Sequence, residues 1–209
     1  MIKKLLTLSV LLLVTSELFA QDMPKVVIRG VRMTGSGCCD SSASASMTSD
    51  GQYLSILFDN YAAEIGDGSA NPNLRSIKKN CRILIDVDVA SGYQYAIETT
   101  EYRGFAALPA SAFGYHRFTQ IIPNSMVPSM REAQLRGPIA DNYEVIVRQK
   151  PGRSPYSTCN SPQQVIELAT ELSVSYLPNT NDRQKALINL DSADTGINSR
   201  FRFIWRPCR

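Results

Sequence analysis

The chain has 209 residues, of which 44% are hydrophobic, and a formal net charge of +3. Its 22 basic residues are nearly balanced by 19 acidic ones, which argues against the strongly basic surface of a nucleic-acid-binding protein. The length is enough for one domain with a sizeable hydrophobic core.

The amino-terminal residues have the pattern of a secretory signal peptide. Two lysines precede an apolar run over 5–14, and a more polar stretch ends at the small residue Ala20. The apolar run is shorter than the ~20 residues that a membrane-spanning helix needs. The sequence therefore predicts a signal peptide over 1–20 and a single secreted domain over 21–209, extracellular or periplasmic, with no membrane-spanning segment after signal removal.

The first part of the mature chain alternates in polarity with the period of a β-strand. Lys25–Met33 predicts an opening strand. Ser42–Ser49 predicts a strand that turns at Asp50-Gly51, a strong hairpin signal, into a partner over Tyr53–Ala63.

The stretch Asn80–Leu108 predicts two long strands that meet at Ser91-Gly92. In the first strand, aliphatic residues alternate with mostly charged ones; the aliphatic positions are Ile83, Ile85, Val87 and Val89. The second run alternates from Tyr93 onward, with Tyr95, Ile97 and Thr99 on the same predicted face. We expect the two strands to pair as a hairpin.

The remaining chain predicts further short strands. They span Phe113–Ile122, Ala133–Arg136, Tyr143–Gln149, Gln164–Tyr176, Ala186–Leu190 and Arg200–Arg206, with Asp141-Asn142 read as a connection. Gln164–Tyr176 also fits a helical wheel, but its alternation favours a strand. About ten strands without helical crossovers predict an all-β fold, an antiparallel, jelly-roll-like β-sandwich. In the last strand, Phe201, Phe203 and Trp205 share one face and are predicted to be buried.

All five cysteines lie after the predicted signal peptide, which in an exported protein indicates disulfide bonds. We predict the pairs Cys38–Cys81 and Cys159–Cys208, because each would tie strand ends together. Adjacent cysteines seldom bridge each other, so Cys39 is left free or links two chains, although Cys38 and Cys39 can exchange roles. The protein is expected to be a monomer unless Cys39 links chains.

Six short motifs are spread over the mature chain: Gly35-Ser36-Gly37-Cys38, Lys79-Asn80-Cys81, Gly92-Tyr93-Gln94-Tyr95, Tyr102-Arg103-Gly104-Phe105, Asp141-Asn142-Tyr143 and Trp205-Arg206-Pro207-Cys208. Their order and spacing resemble a family of small secreted proteins of fungi and bacteria that is grouped as a domain of unknown function. The resemblance covers nearly the whole mature chain. It implies an exported, cysteine-stapled β-domain and supplies no activity. Cys39 departs from the family pattern, so the resemblance assigns it no role.

Several aromatic and polar residues are candidates for a binding surface. Tyr102 and Arg103 end a strand next to a glycine, a position where loops often carry function. Together with Asp141, Asn142 and Tyr143, they are the candidate binding residues. Further aromatics could line a sugar- or peptide-binding surface, with core packing as the alternative: Tyr93, Tyr95, Phe105 and Tyr115.

Catalytic and metal-binding patterns are weak. Asp86 and Asp88 share one strand face ~7 Å apart, a spacing compatible with an inverting glycosidase, but a solvated strand face is the favoured interpretation. His116, the one histidine, has no Gly-x-Ser-x-Gly motif as a partner. The segments 67–73 and 191–198 offer oxygen ligands but lack the spacing of a calcium loop.

These observations predict a non-catalytic binding or structural domain at the cell surface or outside the cell. Its expected partner is a surface protein or a glycan, and no cofactor or metal is expected. The alternative function is a hydrolase of extracellular polymers that uses an exposed acid such as Asp86.

Overall fold

The computed structural model describes residues 24–121, 129–149, 155–159, 161–190 and 199–208. These residues form twelve strands and no helix. The strands are β1 (Val26–Thr34), β2 (Ala43–Met47), β3 (Tyr53–Phe58), β4 (Ala62–Ile65), β5 (Ser76–Val89), β6 (Tyr93–Leu108), β7 (Ala112–Ile121), β8 (Ser129–Arg136), β9 (Ile139–Arg148), β10 (Gln163–Tyr176), β11 (Ala186–Asn189) and β12 (Ser199–Pro207). The predicted signal peptide and the segment 191–198 lie outside the described residues.

The strands form two antiparallel sheets that enclose a common core. The five-stranded sheet has the order β1-β5-β10-β7-β8. The seven-stranded sheet has the order β2-β3-β12-β6-β11-β4, with β9 on the other side of β6. This arrangement confirms the all-β, antiparallel sandwich. The predicted strand over Tyr53–Ala63 is divided into β3 and β4, and Asp141-Asn142 lies within β9 instead of between strands.

The predicted hairpin between β5 and β6 is wrong. β5 pairs with β1 and β10, whereas β6 belongs to the other sheet and pairs with β12, β9 and β11. The turn at Gly92, whose φ is +77°, therefore carries the chain from one sheet to the other. The predicted faces were right for β5, because Ile83, Ile85 and Val87 are all buried between the sheets.

In β6 the strict alternation is interrupted. Tyr95, Ala96 and Ile97 are buried in succession, and the pairing with β12 skips Glu98. This irregularity is a β-bulge, in which one extra residue shifts the faces of the strand. As a result Thr100, and not Thr99 as predicted, continues the inward face.

The largest fully buried side chains include Tyr61, Tyr95, Tyr102 and Phe201. A hydrogen bond of Tyr61, which lies between β3 and β4, links the two sheets: its hydroxyl donates to the carbonyl oxygen of Thr170 on β10 at 2.8 Å. Phe201 and Phe203 are buried as predicted, whereas Trp205 is only half-buried. Trp205 lies near the end of β12, where its indole packs at the rim of the core against Tyr95.

Two disulfide bonds stabilise the sandwich. One joins Cys38 after β1 to Cys81 in β5, and the other joins Cys159 to Cys208 at the end of β12. Cys39 is free and exposed. Disulfides of this kind form in oxidising compartments.

Candidate functional site

Strand β7 places two aromatic residues on the outer surface of the five-stranded sheet. Its inward positions include Gly114, His116 and Phe118, so Phe113 and Tyr115 point away from the core and are half-buried. Residues two apart on one strand lie ~7 Å from each other. The two side chains therefore lie side by side on an open face.

The neighbouring strands complete a groove around these rings. On edge strand β8, Arg136 lies opposite Phe113 and Gln134 opposite Tyr115. We call this groove of about 290 Å³ the aromatic groove; it is lined by Phe113, Gly114, Tyr115, Gln134, Leu135, Arg136 and Leu177.

On the central strand β10, Ser173 lies opposite Tyr115, and Ser175 lies opposite Phe113. Ser173 is buried, and Lys78 of β5, which lies opposite it on the other side, reaches to 5.9 Å from the centroid of the Tyr115 ring. The groove beside the rings is therefore on the β8 side of β7.

Tyr115 is held in place by charged neighbours. Its hydroxyl donates to a carboxylate oxygen of Glu171 at 3.0 Å, and the same oxygen pairs with Lys78 and Arg117, both at 3.3 Å. The Arg117 guanidinium and the Lys78 ammonium lie 5.1 and 5.9 Å from the ring centroid. Hydrogen bonds to Tyr115 and Glu171 raise the pKa of Lys78 above its usual value. The ring is thus positioned before any ligand binds, which lowers the entropic cost of binding.

The aromatic groove combines two kinds of contact. Aromatic faces suit the apolar C–H surface of a sugar ring, and amide and guanidinium groups donate hydrogen bonds to hydroxyl oxygens. Gln134 and Arg136 supply these donors. The Gln134 amide donates one hydrogen bond to Glu132 at 3.2 Å and has a second N–H, and Arg136 has no ion-pair partner among the described residues. A polyhydroxylated ligand matches this combination.

The predicted binding residues are divided between the core and the surface. Tyr102 is 2% exposed and packs edge-on against His116, with ring centroids 4.9 Å apart. Tyr143 is also buried, and its hydroxyl donates to the carbonyl oxygen of Asn189 at 3.0 Å. Arg103 is exposed and ion-paired to Glu144 at 2.8 Å.

Asp141 and Asn142 are exposed on edge strand β9, opposite Ala106 and Phe105 of β6. These five predicted residues therefore follow the β6–β9 pair without converging on one cavity. Of the aromatic candidates, Tyr115 alone lies in the aromatic groove, and Phe113 was not singled out from the sequence. The alternation of β7 could have identified Phe113, because it places the rings of Phe113 and Tyr115 on the face away from the inward His116.

The two acids considered for catalysis are paired with arginines. Asp86 bonds Arg32 at 3.4 Å, and Asp88 pairs with Arg29. All four residues lie on the outer face of the five-stranded sheet, where edge strand β1 pairs with β5. This arrangement is that of ion pairs on a partly exposed strand face.

His116 is a core residue. It is 2% exposed, its Nε2 lies 2.8 Å from the hydroxyl of Thr170, and burial lowers its pKa to about 3. Its ring is therefore neutral at pH 7 and is enclosed by other side chains. These properties do not fit a general base that meets a substrate.

In the segment 67–73, which was considered as a calcium site, an arginine side chain bonds two of the candidate oxygen ligands. Arg183 bonds the carboxylate of Asp67 and the amide oxygen of Asn73, both at 3.2 Å. Over the described ranges, no group of three or more His, Cys, Asp and Glu side chains could hold a metal ion. The same part of the chain contains no helix long and apolar enough to cross a membrane.

Comparison with known proteins gives one family match. The model of the family described as "Domain of unknown function (DUF4360)" matches residues 24–208. An "uncharacterized secreted protein" of the fungus Arthroderma benhamiae is 25% identical over 189 residues, which is 90% of this chain and 74% of the relative.

Among solved structures, similarity is low. A carbohydrate-binding module, TmCBM61 in complex with β-1,4-galactotriose, has a TM-score of 0.30 and 7% identity, covering 86% of this chain and 90% of that one. The family 11 carbohydrate-binding module of Clostridium thermocellum has a TM-score of 0.24 and 8% identity, covering 86% and 88%. These scores are too low to support inferences about ligands.

Proposed function

We propose that this chain, which belongs to the family of domains of unknown function DUF4360, is an exported, non-catalytic domain that binds a glycan through the aromatic groove. The observation that carries the proposal is the pair of outward rings, Phe113 and Tyr115, beside the donors Gln134 and Arg136. In a sandwich whose other large aromatics mostly face the core, two adjacent rings on an outer face favour contact with a ligand.

Export is supported by three independent features. The chain begins with the pattern of a signal peptide, two disulfides cross-link the sandwich, and a relative from Arthroderma benhamiae is described as secreted. We place the mature protein at 21–209, as one domain outside the cytoplasm.

Non-catalytic binding is favoured over hydrolysis by the placement of the acids. A glycoside hydrolase needs two carboxyl groups that flank the scissile bond. Asp86 and Asp88 are instead paired with arginines on an open strand face. In the described part of the chain, two carboxylates adjoin the aromatic groove, and both are engaged. Glu171 bonds Tyr115, Lys78 and Arg117. Glu132 bonds Arg117 and Gln134.

The test is a glycan array on the mature protein, followed by calorimetric titration of each glycan that binds. We expect Tyr115→Ala to weaken binding at least tenfold, because it removes the aromatic platform. Tyr115→Phe keeps the ring and should retain most of the affinity. Phe105→Ala is a matched control, since Phe105 is a half-buried aromatic of the other sheet.

Two results would overturn the proposal. One is the absence of binding to any glycan on the array. The other is unchanged affinity in both Tyr115→Ala and Phe113→Ala, with native circular dichroism showing that the variants are folded.

A further inference from the structure

The outer face of the seven-stranded sheet carries a second cleft with a different chemistry. It has a volume of about 200 Å³ and is lined by Tyr53, Thr99, Glu101, Arg148, Arg200 and Arg202. We call it the arginine cleft. It lies on the sheet opposite to the aromatic groove, so neither site depends on the other.

Strand β12 explains why arginines collect there. Its sequence alternates arginines with large apolar residues, and Phe201 and Phe203 occupy inward positions. Arg200 and Arg202 are therefore turned to the outside. The same alternation that fills the core places two positive charges on the outer face.

Strand register brings the third arginine to the same place. Arg202 lies opposite Tyr53 of β3 and Thr99 of β6, and Thr99 lies opposite Arg148 of β9. One row of side chains thus crosses four strands. Neighbouring strands are ~4.8 Å apart, so the backbones at Arg202 and Arg148 are separated by ~10 Å, with the short Thr99 between them.

The arginines differ in how their charges are compensated. Arg202 pairs with Glu98 at 3.0 Å. The guanidinium of Arg200 lies over the ring of Tyr53, 3.9 Å from its centroid. Among the described residues, neither Arg200 nor Arg148 forms an ion pair with a carboxylate. Three positive charges face the two negative charges of Glu98 and Glu101, which leaves the cleft with a net positive charge.

Such a cleft is suited to a planar anion. A guanidinium donates two parallel hydrogen bonds to a carboxylate, and stacking on Tyr53 orients the fork of Arg200 in advance. The floor at Thr99 adds a hydroxyl donor. A cleft that is open on a flat sheet face and has the volume of a few side chains admits one charged sugar residue.

We propose that the arginine cleft binds the carboxylate of a uronic acid residue in an acidic polysaccharide. Arg148 and Arg200 hold the carboxylate over Thr99, and Arg202, already paired with Glu98, adds a longer-range attraction. Binding of this kind weakens as salt rises, because exposed charges are screened over ~8 Å at physiological ionic strength.

The experiment is a calorimetric titration of the mature protein with an oligogalacturonate and with its methyl ester, which lacks the charge. We expect the acid form to bind at least tenfold more tightly than the ester at 50 mM salt, and this advantage to shrink at 500 mM. Arg148→Gln and Arg200→Gln should each reduce affinity for the acid form about tenfold. Tyr53→Leu, which removes the ring under Arg200, should reduce it to a smaller extent.

The matched control is Arg103→Gln, because Arg103 is exposed on β6 of the same sheet and is already paired with Glu144. Its affinity for the oligogalacturonate should equal that of the wild type. A glycan bound only in the aromatic groove would show no dependence on Arg148 or Arg200, which separates the outcome from that of the proposed function.

Three results would overturn the assignment. They are equal binding of the acid and its ester, wild-type affinity in the folded Arg148→Gln and Arg200→Gln variants, and competition by inorganic sulfate at concentrations similar to those of the oligogalacturonate. The last result would identify a general anion site and not a carboxylate site.

Discussion

His116 Nε2 and the hydroxyl of Thr170 lie 2.8 Å apart in the interior of the sandwich, where β7 runs beside β10. Tyr102, from the opposite sheet, packs edge-on against the imidazole. Because the site is closed to water, the neutral form of the ring is strongly favoured, and the pKa of His116 falls to about 3.

This contact predicts a pH dependence of stability. In the unfolded chain the pKa of a histidine is ~6.5, so below this pH the unfolded state binds a proton that the folded state does not. The contribution of His116 to stability is thus complete above pH 6.5 and is lost as the pH falls towards 3. Between pH 7.5 and 5 we expect a loss of ~2 kcal/mol, measurable by urea denaturation.

The control for this prediction is His116→Gln, which keeps a polar group near Thr170 but does not titrate. Carboxylates titrate in both proteins, so the difference between the two pH profiles isolates the histidine. Parallel profiles between pH 7.5 and 5 would show that His116 is not buried as a neutral ring.

The Cys159–Cys208 bond should contribute ~4 kcal/mol to the free energy of unfolding, because it closes a loop of 49 residues in the unfolded chain. The double variant Cys159→Ser/Cys208→Ser is expected to lose that amount in a denaturant titration. Cys39→Ser is the control and should be neutral, since Cys39 is free and exposed. A Cys39 peptide linked to another cysteine in non-reducing peptide mapping would contradict this pairing.

Truncation of two aromatic side chains of β12 to alanine should lower the free energy of unfolding by different amounts. Phe203 is 2% exposed, so Phe203→Ala is expected to lose ~4 kcal/mol. Trp205 is half-buried, so Trp205→Ala should lose less, ~2 kcal/mol. Since Trp205 is the single tryptophan, its native fluorescence should lie between that of exposed and fully buried indole. Equal losses in the two variants would be inconsistent with the register of the strand.

Substitution by alanine should lower the stability by different amounts at two glycines. A Cβ at Gly104 would lie 2.0 Å from the carbonyl oxygen of Asn189 on β11, so Gly104→Ala should cost ~3 kcal/mol by forcing the strands apart. A Cβ at Gly92 would meet no atom within 4 Å, and its cost, ~1 kcal/mol, comes from the positive φ alone. Thermal denaturation of both variants checks the ranking, and a larger effect at Gly92 would refute it.

Local alternation predicts which side chains of the two candidate sites point outward, but it does not predict which other side chains lie beside them. Alternation along β7 places Tyr115 outward, and alternation along β12 does the same for Arg200 and Arg202. Which side chains surround them depends on pairing with strands far along the chain: Gln134 beside Tyr115, and Arg148 in the same row as Arg202.

The sequence by itself determined most of the strands and the buried faces of those that alternate regularly, because polarity with a period of two specifies which side of a strand meets water. It indicated the strand at β10, where a helix was the alternative, and the inward aliphatic face of β5. The partner of each strand was decided only by the tertiary structure. A hairpin of β5 with β6 and a crossover between sheets bury the same residues of β5, so local pattern cannot distinguish them. Long-range pairing distinguishes the two arrangements. β5 pairs with β1 on one side and β10 on the other, and β6 pairs with β9 on one side and with β12 and β11 on the other.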